Sequence, residues 1–179
     1  MENRNHKDSL FIDLFCKDKE GKQNFISLYN ALHNTNLDLA TTTVQEVNID
    51  NVLYMALSND IAMLVDNKLV VLVEHQSTIN ENMPLRLLEY VSRIYEQLVP
   101  SEDRYEKKMI KIPYPEFFVF YNGTEDYPVE TELKLSDAFI FPDEKYNVKS
   151  SDLTIEIKVK IININSDKQS PILKQCKKL

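Results

Sequence analysis

The sequence predicts an α/β protein, a mixed β-sheet flanked by helices, on three observations. Two short apolar runs, Ile61–Val65 and residues 69–73, stand on either side of the turn-forming triplet Asp66-Asn67-Lys68. They read as a β-hairpin whose strands are largely buried on both faces. Behind Pro84, Leu85, Leu88, Val91, Tyr95 and Leu98 recur at helical spacing as far as Pro100. Residues 117–121, Phe-Phe-Val-Phe-Tyr, then form an apolar strand that Asn122-Gly123 stops.

The other elements follow in chain order. Residues 9–15, with Leu10, Phe11, Leu14 and Phe15 at helical spacing, predict a short helix. A second is expected after Gly21, carried by Phe25, Leu28, Tyr29 and Leu32 to about Asn34. Residues 41–49 are β-branched and partly alternating, which suits an extended segment. The charged stretch 101–111 reads as helical and is ended by Pro113 and Pro115. After a long irregular connection, residues 153–164 predict another long strand.

At 179 residues and 20.9 kDa the chain fits one domain, residues 1–179. A chain of this size buries about two thirds of its unfolded surface, enough for a core without staples. With 43% hydrophobic and 27% charged residues it belongs among folded rather than disordered chains. The only glycines are Gly21 and Gly123, which excludes the glycine-rich nucleotide-binding loops, since these need several glycines to bring backbone N–H groups against phosphate. The apolar runs are too short to span a bilayer and the start is polar, so a soluble, cytoplasmic protein is expected.

Cys16 and Cys176 stand alone, which argues against a disulfide framework or structural zinc, and His6, His33 and His75 have no ligand spacing on a helix. The net charge of −7 is uneven. Residues 145–179 carry eight lysines against three acids, whereas residues 1–144 carry 13 Lys and Arg against 25 acids. Such an acidic body repels a phosphate backbone unless metal ions or a local basic face intervene.

Chemistry concentrates where Glu74-His75-Gln76 continues the second hairpin strand. On an alternating strand Glu74 and Gln76 share a face. A carboxylate ending an apolar strand is costly unless paired, and another acid, Asp60, precedes the first strand directly. If the turn uses all of Asp66-Asn67-Lys68, Val65 opposes Leu69 and Asp60 opposes Glu74. A two-residue turn instead pairs Asp60 with Val73 and puts the acids on opposite faces. A three-residue loop, or an equivalent bulge, is what convergence of the two acids requires. Converging carboxylates suit a hard cation such as Mg²⁺, which could activate water and compensate charge on a phosphate. Gln76 could orient that water but has no titratable proton. The plainer alternative is that Asp60 caps a strand and Glu74 pairs with a surface arginine. Behind this segment Arg86, Tyr90, Arg93 and Gln97 fall on one helical face, either to meet a DNA backbone or as a solvated face with Glu89 and Arg93 paired.

The run Asn59-Asp60, the apolar hairpin, residues 74–90 (Glu-His-Gln-Ser-Thr-Ile-Asn-Glu-Asn-Met-Pro-Leu-Arg-Leu-Leu-Glu-Tyr) and residues 120–123 (Phe-Tyr-Asn-Gly) resemble the Rpn family of recombination-promoting nucleases and transposases, within the PD-(D/E)XK nuclease superfamily. Residues 7–15, 28–32 and 135–139 look like family segments as well. The resemblance implies a restriction-endonuclease-like core, Mg²⁺-dependent DNA cleavage (Mn²⁺ substituting) and a link to recombination or mobile elements. It makes Asp60 and Glu74 metal ligands, and puts Gln76 where the wider superfamily has lysine, leaving proton abstraction unassigned. A third acid, Asp8 or Glu46, stays open, and a homodimer is expected by analogy.

Family members often continue with further helices. Here Ser170-Pro171 predicts a helix start close to Leu179, so a C-terminally truncated member is expected. The sequence thus points to a metal-dependent DNA endonuclease of little sequence specificity, acting with Asp60, Glu74 and Gln76 and contacting DNA through Arg86, Tyr90 and Arg93. The alternative is a short non-catalytic module that binds DNA or a longer relative.

Overall fold

The apolar hairpin forms, and the sheet is built around it. In a computed structural model, residues 14–16, 18–47, 61–146, 148–149, 151–168 and 170–176 are described, with the backbone alone at 71–76 and 144. Strand β1 (Val44–Glu46) pairs antiparallel with β2 (Ile61–Val65), which pairs antiparallel with β3 (Lys68–Gln76). β4 (Tyr114–Tyr121) runs parallel to β3, and β6 (Lys158–Asn163) runs parallel to β4. β5 (Glu130–Lys134) closes the edge antiparallel to β6, giving the order β1-β2-β3-β4-β6-β5. This is the mixed α/β sheet expected from the sequence.

Three α-helices lie among the described residues: α1 (Lys19–His33), α2 (Met83–Leu98) and α3 (Pro171–Gln175). They pack on both faces of the sheet. One apolar cluster joins Phe25, Leu28 and Ile172 to Met63, Val70, Phe118 and Phe120. The other joins Leu87, Val91 and Ile94 to Leu69, Phe117, Val119 and Val159. Alternate residues of β4 feed opposite clusters, as a strand covered on both sides must.

α1 begins before Gly21 because Asp18 caps it, its carboxylate accepting the Gly21 N–H at 2.9 Å. Asn34 ends it in the left-handed region, φ 52°, which asparagine tolerates better than most residues other than glycine. Ser170 and Pro171 start α3, as predicted. Pro115 sits inside β4 in register with Leu69, and β6 joins β4 only from Phe118 onward. The missing N–H therefore falls where β4 has a single neighbour.

Five expectations need correction. The hairpin turn uses two residues, Asp66 and Asn67: Val65 pairs with Lys68, Leu64 with Leu69 and Ile61 with Leu72. Asp66 takes the left-handed conformation, φ 53°, which Asp tolerates, and its side chain accepts the Thr43 N–H at 3.0 Å. Lys68 then becomes a strand residue. On α2 the buried stripe is Met83, Leu87, Tyr90, Val91 and Ile94, whereas Leu85 is 47% exposed and Leu88, Tyr95 and Leu98 are partly buried. The helix carries enough leucines for two overlapping stripes, and the sheet selects one. Residues 101–111 form only a 3₁₀ turn at Asp103–Tyr105. The last strand starts at Lys158 rather than 153, because the ladder with β5 ends where Lys134 pairs with Lys158. Beyond it Leu135–Ala138 turns into a 3₁₀ helix, tied to the residues before Lys158 by the Leu135 N–H on the Ile157 carbonyl and by Ser136 on the Glu156 carboxylate. β5 itself lies within the expected irregular connection. Its Glu130, Glu132 and Lys134 hide the alternation of an edge strand; Glu132 lies 3.8 Å from both Lys134 and Lys158, and Glu130 4.0 Å from Lys160. Of the predicted helix at residues 9–15, only Leu14 and Phe15 are described, and both are helical.

Candidate functional site

β3, β4 and β6 run in one direction, so their carboxyl ends meet at a single edge of the sheet. In open α/β sheets such an edge is where ligands bind. Gln76 pairs with Tyr121 and Tyr121 with Asn163, which lines the three strand ends up. Glu74-His75-Gln76 lies at this edge.

β3 is not regular there. Val73 pairs with Val119, but Gln76 pairs with Tyr121, so three steps on β3 match two on β4. One extra residue is accommodated between Val73 and Gln76, a β-bulge of the kind that re-aims side chains beside active sites. Strict alternation therefore does not run through Glu74. The two-residue turn removes the three-residue loop on which direct opposition of Asp60 and Glu74 was founded, and the bulge lies in the pairing of β3 with β4, not in the hairpin pairing described between Ile61 and Lys68. Asp60, which precedes Ile61, and Asp8 lie outside the described residues. Glu46 is exposed on β1, where it pairs with Met63. Among the described residues no three His, Cys, Asp or Glu side chains are grouped to hold a metal ion, a set that includes neither Asp60 nor the Glu74 side chain.

The loops at this edge are tied together by amides. Asn163, fully buried, donates its Nδ2 to the Tyr127 carbonyl at 2.9 Å, and its Oδ1 accepts the Asn165 N–H at 3.0 Å. Asn165 Nδ2 reaches the Gly123 carbonyl at 2.9 Å. The Tyr121 hydroxyl donates to the Glu125 carbonyl and accepts the Glu125 N–H, each at 3.1 Å. Tyr127 stacks at a tilt on Tyr121, ring centroids 5.1 Å apart. Burial raises the Tyr127 phenol above its ordinary range, with Glu81 and Tyr121 adding to the effect. Asp126 and Lys168 are held in a close ion pair: the lysine's hydrogen bond lowers the carboxyl and the same bond raises the ammonium. Tyr127, Asn163 and Asn165 carried no signal in the sequence, since isolated amides and one tyrosine fit no ligand pattern.

Of the expected DNA-contacting face on α2, Arg93 is exposed and Arg86 is half-buried, its Nη1 3.3 Å from the Met83 sulfur. Tyr90 is a correction. It is 4% exposed and part of the apolar cluster, because the helix turns that side to the sheet. Glu89 is exposed, and among the described residues no ion pair joins it to Arg93.

A second charged group lies at the other end of β3 and β4. Glu116 accepts from His33 Nε2 at 2.8 Å and from Lys68 Nζ at 3.4 Å. His33 stacks on Tyr29, and Lys68 lies 5.6 Å from the Tyr29 ring centroid. This group pins the end of α1 to the sheet. Cys16 is buried, and burial, with Glu46 adding to it, pushes its thiol up to about 12, which suits an inert core residue.

A mixed sheet covered by helices, with a bulged acidic strand end beside its parallel neighbours, defines an α/β protein whose candidate site lies at the carboxyl edge of β3. The chain belongs to the family described as "Putative transposase, YhgA-like", the Rpn/PD-(D/E)XK-type transposase family, whose model matches residues 5–166. No curated protein and no solved structure matches the chain. Among the described residues no helix is long and apolar enough to cross a membrane.

Proposed function

We propose that the chain is a Mg²⁺-dependent DNA endonuclease with a restriction-endonuclease-like core, hydrolysing phosphodiester bonds in recombination or in the movement of mobile elements. Membership of a transposase family supports the class of reaction. The observation that carries the reading is the bulge between Val73 and Gln76, which sets the Glu-His-Gln segment of β3 at the carboxyl edge of the sheet.

Asp60 and Glu74 would hold a hard cation through their carboxylate oxygens, a donor type that suits Mg²⁺, which takes one or two carboxylates together with water and substrate oxygens. When bound, the ion supplies activation of water and charge compensation at the phosphate. Gln76 orients the attacking water through its amide. It cannot take the proton, which passes to solvent or to a phosphate oxygen. Arg93 and Arg86 on α2 contact the DNA backbone without reading sequence. The inner side of α2, with Tyr90, holds the helix to the sheet.

Supercoiled plasmid with Mg²⁺, beside an Asp60→Ala control, tests the reading. Nicking by the wild type alone is the expected result. Nicking by both proteins means a contaminant and removes Asp60 from the site. DNA retention without nicking in either favours the non-catalytic binding module.

A further inference from the structure

We propose that Gly123 is a positioning residue for the catalytic strand end, holding in place the peptide that follows Gln76; the proposal rests on the nuclease reading above. Gly123 closes the Phe-Tyr-Asn-Gly segment after β4, and its backbone needs no left-handed conformation. What it needs is space. A Cβ at this position would stand 2.3 Å from the Ser77 carbonyl oxygen and 2.5 Å from the Tyr121 hydroxyl. Ser77 is the residue directly after Gln76. The closest atom belongs to backbone and cannot swing aside as the end of a flexible side chain can.

The two sides of this contact differ in how firmly they are held. On the Gly123 side, Asn165 holds the Gly123 carbonyl, Tyr121 holds both backbone groups of Glu125, and Asn163 holds the carbonyls of Tyr127 and, through its own N–H at 2.9 Å, Val129. Tyr121 and Asn163 are themselves buried. On the other side, Ser77 is exposed and follows a strand whose register slips between Val73 and Gln76. A bulge interrupts the ladder that would otherwise fix the strand end. Gly123 thus acts as a flat stop, against which the peptide after the bulge rests at a distance that only glycine permits. A side chain at 123 moves Ser77 and, through it, Gln76. A displacement of about 1 Å in a catalytic constellation costs about a hundredfold in rate.

The test uses the full chain and two variants. Gly123→Ala adds the methyl group, and Asn165→Ala removes an anchor of the same turn without adding volume. Hydrogen exchange across residues 72–80, plasmid nicking resolved into kcat and KM, and thermal melts are measured on each. The expected result is faster exchange at 72–80 with residues 61–70 unchanged, and kcat lower by about a hundredfold in Gly123→Ala at unaltered KM for DNA. Asn165→Ala should move both readouts the same way by less, and it carries the test alone if Gly123→Ala does not fold. Unchanged exchange at 72–80 overturns the proposal whatever the nicking shows, and so does altered exchange with wild-type kcat. A wild type that does not nick removes the nuclease reading and the catalytic half of the proposal, while the exchange data still settle whether position 123 governs the strand end.

Discussion

Leu85 and Leu87 stand two residues apart on α2, a rotation of about 200°, so the helix cannot bury both against the sheet. Leu87 is fully buried among the residues packed beneath the sheet, whereas Leu85 is 47% exposed. Truncating a fully buried leucine to alanine removes its transfer free energy and leaves a cavity, together about 3 kcal/mol. For a chain of this size each kcal/mol moves the melting temperature by about 2–4 °C, so Leu87→Ala should lower it by about 6–12 °C. Leu85→Ala gives up a side chain already half in water and should cost less than about 1 kcal/mol, a shift of less than about 4 °C. Circular dichroism melts of both variants beside the wild type measure the difference. Equal losses, or a larger loss for Leu85→Ala, would refute the orientation of α2. Tyr90 would then return to the outer face with Arg86 and Arg93, and the DNA-contacting surface would have to be redrawn.

Two further outcomes test the ends of the sheet. Burial works to lower the Lys68 ammonium, but hydrogen bonding and charge from Tyr29 and Glu116 outweigh it, so its folded-state pKa is raised. A raised lysine stabilises the fold below its unfolded value and loses that contribution as pH rises through the folded one, so melting temperatures above about pH 10 should fall more steeply in the wild type than in Lys68→Met; parallel alkaline limbs would show that the Lys68–Glu116 contact adds nothing. At the carboxyl edge, Mn²⁺ at a hundredfold excess over Kd should stabilise the wild type by ~2.7 kcal/mol, and Glu74→Gln should abolish both that shift and the cleavage. Equal Mn²⁺ shifts in the two proteins would mean that the ion binds elsewhere.

Local chemistry written in contiguous residues was legible without coordinates. The apolar runs around Asp66 and Asn67 specify a hairpin, Pro84 and the leucines behind it a helix, residues 117–121 a core strand, and Ser170-Pro171 a helix start; each depends on the propensity and periodicity of neighbours in the chain. The Glu-His-Gln segment and its surroundings likewise pointed to the family that the chain belongs to. Register was different. Whether the hairpin turns on two residues or three depends on which pairing buries the strands best between two helical layers, and a shift of one residue leaves the local pattern unchanged. The side of α2 that faces inward was undetermined for the same reason, since two overlapping leucine stripes fit the sequence and only contact with Leu69, Phe117 and Val119 selects between them. β5 reads as a charged loop until β6 provides a partner for its backbone and lysines for its glutamates. The bulge in β3 and the close approach of Gly123 to Ser77 arise between segments more than forty residues apart. Sequence alone determined which residues could do chemistry; the pairing of distant strands decided where the strand end that bears them is held.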